Sequence, residues 1–400
     1  MRMVFNLTQH PTPAAGPDHS ATRSPDRTRF QRPGFLIPVS GAGAAAVAVA
    51  ILVQATPGPG GGSSVKREAW LMGTRLSVTA SAPSRQAAVQ AIESVFQEVE
   101  RVEAALSSWR EGSEISRLNS AAVGEEVQLS AEVAGLLDEI GDWVRRTERA
   151  FDPAVGPLID AWDLRGQGRV PPAAELDRAV AASAFTAFEL DPVSRRGTRT
   201  DAGAWLTAGG FGKGAALRAA RNVLTRTDVE SALLDFGGQL VAVGTASGGR
   251  SWPVAVAHPA RRDSQLVVLH LRDRSVATTA ASERYVEASG VRYGHVLDPR
   301  TGWPAEPWGS ATVVCEDPLV ADVLSTALFV LGPERGGTWA EGLEGVGVLF
   351  LQEMAGAVEA RWNQAMEPWL VGLSPSARAL DPQTGEAAWR TVVIGLRGEG

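Results

Sequence analysis

The sequence predicts an α+β fold rather than a doubly wound parallel sheet. Three observations predict it. Long segments with helical apolar spacing come early, short alternating or β-branched runs cluster late, and no unit recurs at a fixed period. With 400 residues and 44% hydrophobic side chains, the chain has material for a large core. The formal net charge of -7 argues against a nucleic-acid-binding surface. A single cysteine, Cys315, excludes an intrachain disulfide and a cysteine-based zinc site. Its depth in the chain also excludes a lipoprotein-type N-terminal cysteine.

Taken in order, residues 1–33 are rich in Pro, Ser and Thr, carry Arg23, Arg27, Arg29 and Arg32, and read as a disordered basic leader. The run "GFLIPVSGAGAAAVAVAILVQA" (34–55) has no charge. Its length is close to the ~20 residues that cross a bilayer. Arginines before it and a Gly/Pro/Ser linker (56–65) after it put the bulk of the chain outside, whether the run is an anchor or a cleaved signal. The alternative is a buried core helix. "EAWLMGTRLSVTAS" (68–81) alternates as one strand. Ser84 caps a helix whose inward residues are Val89, Ile92, Val95, Phe96, Val99, Val102 and Leu106. Ser130 caps a second, with Val133, Leu136, Leu137, Ile140 and Val144 inward. Further helices are predicted at 173–183, 213–225 and 318–331. Strands are predicted at "SALLDFGGQLVAVG", broken at its glycines, and at "WPVAVA", "QLVVLHL", "SVATTA", "YGHVLD", "ATVVC" and "GVGVLFL". "DPRTG" at 298 recurs as "DPQTG" at 381, a single echo without a period. Residues 367–400 form a tail whose "TVVIGLR" could add a strand or dock on a membrane.

Four stretches can carry chemistry. "TAGGFGKGAALRAA" (207–220) leads glycines and Lys213 into a helix, and a helix N-terminus attracts anions. Its spacing is neither a Walker A loop nor a Rossmann fingerprint, and a plain glycine turn is the alternative. In "DPLVADVLSTALFVLG" (317–332), Asp322 and Thr326 stand four apart on one helix face. A carboxylate and a hydroxyl so placed suit Mg²⁺, which takes few protein ligands beside phosphate oxygens. Otherwise Thr326 bonds back to the carbonyl of residue 322. The paired glycines of "ALLDFGGQLVAVG" (232–244) mark either a hairpin turn or a close ligand approach. His295, one of five histidines, precedes the turn "DPRTG" and can accept a proton near neutral pH; the alternative is a structural histidine at a strand end.

Read together and in order, "MGT" (72–74), "WREGSEISRLN" (109–119), "AFDPAVGPLIDAW" (150–162), "GGFGKG", "DFGGQL", "HVLDPRTGWP" and "ADVLSTAL" resemble the ApbE family, the FAD:protein FMN transferases. The resemblance spans roughly residues 66–352. It implies a two-lobed, T-fold-like domain over 66–366, with mainly antiparallel sheets and flanking helices. It implies FAD as substrate, Mg²⁺ as cofactor, and transfer of FMN to a Thr or Ser hydroxyl of an acceptor flavoprotein with release of AMP. Carried onto this sequence, Asp322 and Thr326 match the metal-binding side chains, and Gly210 matches the position that lends a carbonyl to the metal. Met72, Trp109, Ala150, Phe151, Asp152, Lys213 and Val296 match positions that line the nucleotide site. Thr207 holds another such position, where an aspartate is usual. His295 matches the histidine that assists the acceptor hydroxyl. The chain departs from the family pattern also at Thr279 and Ala280, where Ser-Gly is usual, and at Arg218, where an aspartate is frequent. The expected location is the extracytoplasmic face of a bacterial cell membrane. Hydrolysis of FAD to FMN and AMP, and FAD binding without turnover, are the competing activities.

Overall fold

The computed structural model describes residues 55–57, 63–280, 285–288, 290–380 and 388–396. The leader, the uncharged segment up to residue 54, residues 58–62 of the linker and the second "DPQTG" copy lie outside the described residues. Among the described residues no helix is long and apolar enough to cross a membrane.

In chain order the elements are β1 (Ala55–Pro57), β2 (Ser63–Leu71), β3 (Thr74–Ala82), α1 (Arg85–Leu106), α2 (Glu114–Ser120), β4 (Glu126–Gln128), α3 (Ala131–Arg146), α4 (Gly156–Ala161), α5 (Ala173–Ala182), β5 (Phe188–Asp191), β6 (Arg196–Arg199) and α6 (Gly212–Leu224). There follow β7 (Ser231–Phe236), β8 (Gln239–Val243), β9 (Trp252–Ala257), β10 (Gln265–Leu271), β11 (Arg274–Ala280), β12 (Tyr285–Ala288), β13 (Val291–Gly294), β14 (Gly309–Cys315), α7 (Pro318–Ala340), β15 (Gly347–Met354), β16 (Ala357–Asn363), β17 (Leu370–Leu373), β18 (Ala377–Ala379) and β19 (Trp389–Leu396).

The main sheet runs β1-β2-β3-β7-β8-β11-β14-β15-β16-β19-β18 with antiparallel pairing throughout. Side chains alternate between its two faces. Ala277, Val313 and Phe350 join the core that holds α1, α3, α6 and α7. Their neighbours Val276, Val314, Leu349 and Leu351 join a second core under the small sheet β17-β10-β9. Burial on both faces explains why "ATVVC" is nearly all apolar: all of β14 is buried, and its one hydroxyl, on Thr312, is hydrogen-bonded to that of Thr278. The α+β class and the antiparallel sheets are thus as the sequence predicts.

Local rules account for the helices. The Ser84 hydroxyl accepts the Ala87 N–H at 3.1 Å, and the Ser130 hydroxyl accepts that of Val133 at 3.2 Å. Arg145 and Arg146 in the last turn of α3 suit its negative end. Ile92, Val95, Phe96, Val99, Val102 and Leu106 are buried as expected, while Val89 and Leu136 are only partly covered.

Three elements differ from expectation. "EAWLMGTRLSVTAS" is two strands, not one, because Met72 and Gly73 turn the chain at φ 47° and 72°. In "YGHVLD" the strand ends at Gly294, leaving His295 beyond it, and Leu297 makes only an isolated bridge to Pro304. The helix predicted at 318–331 continues as α7 past Gly332, where the backbone leaves helical geometry at φ 76°, ψ 168°. Of the two roles open for the tail, the structure shows added strands: β19 pairs with β16 and β17 with β10.

Candidate active site

The site forms where the N-terminus of α6 meets the first turns of α7. No side chain of α6's own N-cap, Phe211, can satisfy its first amides. Asp322 does so from the neighbouring helix: its Oδ2 accepts the Gly214 N–H at 2.9 Å. Its Oδ1 lies 3.5 Å from Lys213 Nζ. The residue is only 5% exposed. A nearly buried carboxylate is thus tied to a helix N-terminus and to a lysine. Close approach of the two helices requires Gly214, since a Cβ there would lie 2.6 Å from the Pro318 carbonyl oxygen. Gln239, at the start of β8, donates to the same carbonyl at 2.8 Å and so anchors α7 to the sheet.

One turn along α7, Thr326 Oγ1 donates to the Asp322 carbonyl at 3.1 Å, the back-bonded arrangement that the sequence left open. That bond does not disqualify it as a metal ligand. Its one proton is used, so its lone pairs remain free to donate to a cation. Ser325 also donates to the Asp322 carbonyl, at 3.0 Å. Its one proton is then spent, so Thr279 is the donor in their 2.9 Å contact. Thr279, flagged as a departure in sequence, is therefore wired to the helix that bears Asp322.

The glycine loop closes the arrangement. A Cβ on Gly210 would lie 3.2 Å from the Phe151 ring and 3.7 Å from the Thr326 methyl, so all three meet here. The Gly210 carbonyl accepts no hydrogen bond among the described residues. A Cβ on Gly212 would touch the Met72 methyl at 3.0 Å. Met72 reaches that place from a left-handed turn residue, a conformation costly for a side chain of this kind. Thr207 bonds its N–H to the Pro153 carbonyl at 2.9 Å, and its hydroxyl accepts the Gly209 N–H at 3.3 Å. It therefore shapes the loop locally.

The donor set fits a small hard cation. Asp322 offers a carboxylate oxygen with only a distant partner, Thr326 a hydroxyl with free lone pairs, and Gly210 an unengaged carbonyl. Among the described residues no group of three or more His, Cys, Asp or Glu forms a metal cluster. Few protein ligands with space left for phosphate oxygens is the Mg²⁺ pattern.

The other expected positions divide. Ala150 and Phe151 are buried at 1% and 2% exposure beside the loop. The Asp152 carboxylate is turned inward, with the residue only 4% exposed. Its carboxylate accepts from Arg149 at 3.0 Å, Ala154 N–H at 2.9 Å and Phe185 N–H at 3.2 Å. Burial pushes its pKa up, against those donors. It holds the loop that presents Phe151. Trp109 is the opposite case, 69% exposed, with the Arg165 guanidinium 3.9 Å over its ring.

His295 stands half-buried just past β13, followed by Val296, which packs against the main core. The turn behind it is rigid. Asp298 pairs with Arg300 through two contacts of 2.8 Å, and Trp162 Nε1 donates to the Gly302 carbonyl at 2.8 Å. Trp162 packs against Tyr293 and Trp303 at 5.1 and 5.2 Å. Gly302 must be glycine: φ is +76°, and a Cβ would lie 2.5 Å from Val180. The turn that follows the histidine is thereby fastened to α4 and α5.

Residues 72–350 match the model of the ApbE family. The chain belongs to the ApbE family. The "FAD:protein FMN transferase" of Treponema pallidum (strain Nichols) is 32% identical over 277 residues, 65% of this chain and 76% of that protein. That of Klebsiella pneumoniae (strain 342) is 32% identical over 248 residues, 60% of this chain and 76% of its own. Among solved structures, the apo flavinyl transferase ApbE of Pseudomonas stutzeri superposes with a TM-score of 0.66 at 26% identity, covering 79% of this chain and 96% of that one. The flavin transferase ApbE of Vibrio cholerae gives 0.69 at 24% identity over 77% of this chain and 100% of its own, a likeness of fold. The matched span contains every site residue discussed above. Gly214, Ser325 and Thr279 join the ApbE-type motif residues here. In sequence Gly214 stood in "GGFGKG", Ser325 in "ADVLSTAL" and Thr279 as a departure from the family pattern, but nothing there assigned any of them a contact.

Proposed function

We propose that this ApbE-family chain transfers FMN from FAD to a threonine or serine hydroxyl of an acceptor flavoprotein and releases AMP, with Mg²⁺ required. One observation carries the reading: from α7 the Asp322 carboxylate reaches the N-terminus of α6, and the Thr326 hydroxyl stands one turn further along α7. Asp322, Thr326 and the Gly210 carbonyl would hold the cation, which would neutralise charge on the diphosphate. The α6 N-terminus and Lys213 add positive potential against the departing AMP. His295 takes the proton of the acceptor hydroxyl. The hydroxyl oxygen bonds to the FMN-side phosphorus, the bond from that phosphorus to the bridging oxygen breaks, and AMP leaves with that oxygen. Trp162, Asp298 and Arg300 stiffen the turn after His295 and so limit its wandering. The uncharged segment at 34–55 supports export, with the catalytic residues on the extracytoplasmic face.

Incubation with FAD, Mg²⁺ and an acceptor peptide, followed by mass analysis, tests the activity. The peptide should gain the mass of FMN less water while AMP appears in equal amount. Asp322→Asn should lower kcat/KM by roughly 100-fold or more. His295→Ala should lower it ~10²–10⁴-fold. AMP released at the same rate with and without acceptor would replace transfer by hydrolysis.

A further inference from the structure

A separate feature lies beside Trp109. Trp109 and Trp205 enclose the Arg165 guanidinium, whose Cζ is 3.9 Å from one ring centroid and 4.3 Å from the other. Trp205 is itself fixed, because its Nε1 donates to Asp160 at 3.0 Å and its ring fills the space over Gly156. Arg165 and Trp205 line an open cleft of about 310 Å³. We propose that Arg165 is a recognition point for a paired anionic oxygen, a carboxylate or a phosphate, that enters this cleft.

The geometry limits what the arginine can do. Its Cζ lies over both indole rings, an arrangement that engages the cation through the rings and leaves its N–H donors to other partners. None of those donors has a hydrogen-bond or ion-pair partner among the described residues. A flat guanidinium with its edge free is the form that binds carboxylate or phosphate through two parallel hydrogen bonds. The surroundings suit an anion. Ser108 lines the same cleft and its hydroxyl makes no hydrogen bond among the described residues. Arg199 adds a second positive charge from the wall. Its terminal nitrogens are committed to the carbonyls of Ala121, Ala202 and Ala204, and its Nε–H is buried without a partner. Asp160 is the one opposing charge, and one of its oxygens is held by Trp205. Two cations against one anion leave the cleft positive.

The inference rests on the proposed transfer reaction for the anions that reach the cleft: a phosphate of the nucleotide, or an acidic side chain near the acceptor hydroxyl. Calorimetry on the full chain separates the two without turnover. Arg165→Gln and the parent protein would be titrated with AMP, with FAD, with a threonine peptide flanked by glutamates, and with its glutamine counterpart. A tenfold or larger rise in Kd for the glutamate peptide, and none for the glutamine peptide, assigns a carboxylate. The same rise for AMP or FAD assigns a phosphate. Arg165→Lys keeps the charge without the planar fork and should recover only part of the loss. An unchanged denaturation midpoint shows that the variant folds. Kd values within twofold of the parent for AMP, FAD and the glutamate peptide alike would overturn the proposal. Because only binding is read, that result is distinct from a failure of the transfer reaction.

Discussion

At Gly214 the distance between α6 and α7 leaves no room for a methyl group. A Cβ would fall 2.6 Å from the Pro318 carbonyl oxygen and 2.8 Å from the Asp322 Cβ. Gly214→Ala should therefore cost about 1–3 kcal/mol of stability by overpacking. It should also weaken the proposed Mg²⁺ binding, because the helices can separate only by moving Asp322. Urea denaturation checks the first effect and calorimetric titration with Mg²⁺ the second. Cys315 offers a different test. Burial pushes its thiol up to about 12, and its Sγ donates to the Asp317 carbonyl at 3.2 Å. A thiolate is the reactive form, so the native protein should resist iodoacetamide at pH 8 and react at once when unfolded. Labelling of the folded protein would contradict the burial described. At this scale the sequence was readable where chemistry is local. Asp322 and Thr326 stand four apart, and that spacing alone places them on one helix face. Gly214 was not readable as essential, because the atoms it must avoid lie about a hundred residues further along.

Arg218 shows how an element is held by charge. From α6 it pairs with Glu139 of α3 at 2.6 and 2.8 Å, and with Asp317, the N-cap of α7, at 2.8 and 2.6 Å. Burial pulls its pKa down, yet the two carboxylates hold it above the usual arginine range. The unusual arginine of the sequence is therefore a three-helix tie. Arg218→Met would leave Glu139 and Asp317 facing each other and should cost about 2 kcal/mol, between the values for exposed and buried pairs. It should also shift the KM for Mg²⁺ more than kcat, because the register of α6 on α7 sets the Lys213–Asp322 contact. A denaturation series and a metal titration check both. Equal stability of variant and parent would show the tie to be idle. Elements with strong helical periodicity, α1 and α3, were legible with their caps. The hairpin at Met72–Gly73 was missed because a methionine is a poor signal for a left-handed turn. Its position is set by packing on Gly212, which no local pattern reports.

Across the whole molecule the main sheet separates two cores, and the end of the chain completes one of them. Val392 and Ile394 of β19 and Ala377 of β18 are buried in the core beneath β17-β10-β9. β19 also pairs along β16 from Asn363 to Val358. A chain ended at residue 366 would expose that core and leave β16 as a bare edge. It should be recovered as aggregate, or melt far below the full chain, as size-exclusion chromatography and thermal unfolding would show. A soluble, equally stable product would mean that the last strands are dispensable. Periodicity and capping in the amino-acid order were enough for the helices, for the clustering of strands, and for the pairing of a carboxylate with a hydroxyl on α7, since each depends on residues within a turn or two. Packing alone settled that Asp322 caps α6, that Asp152 faces inward, that Arg218 binds three helices and that the tail is part of the sheet. Those outcomes depend on which distant surfaces exclude water together, and that is a property of the folded chain as a unit.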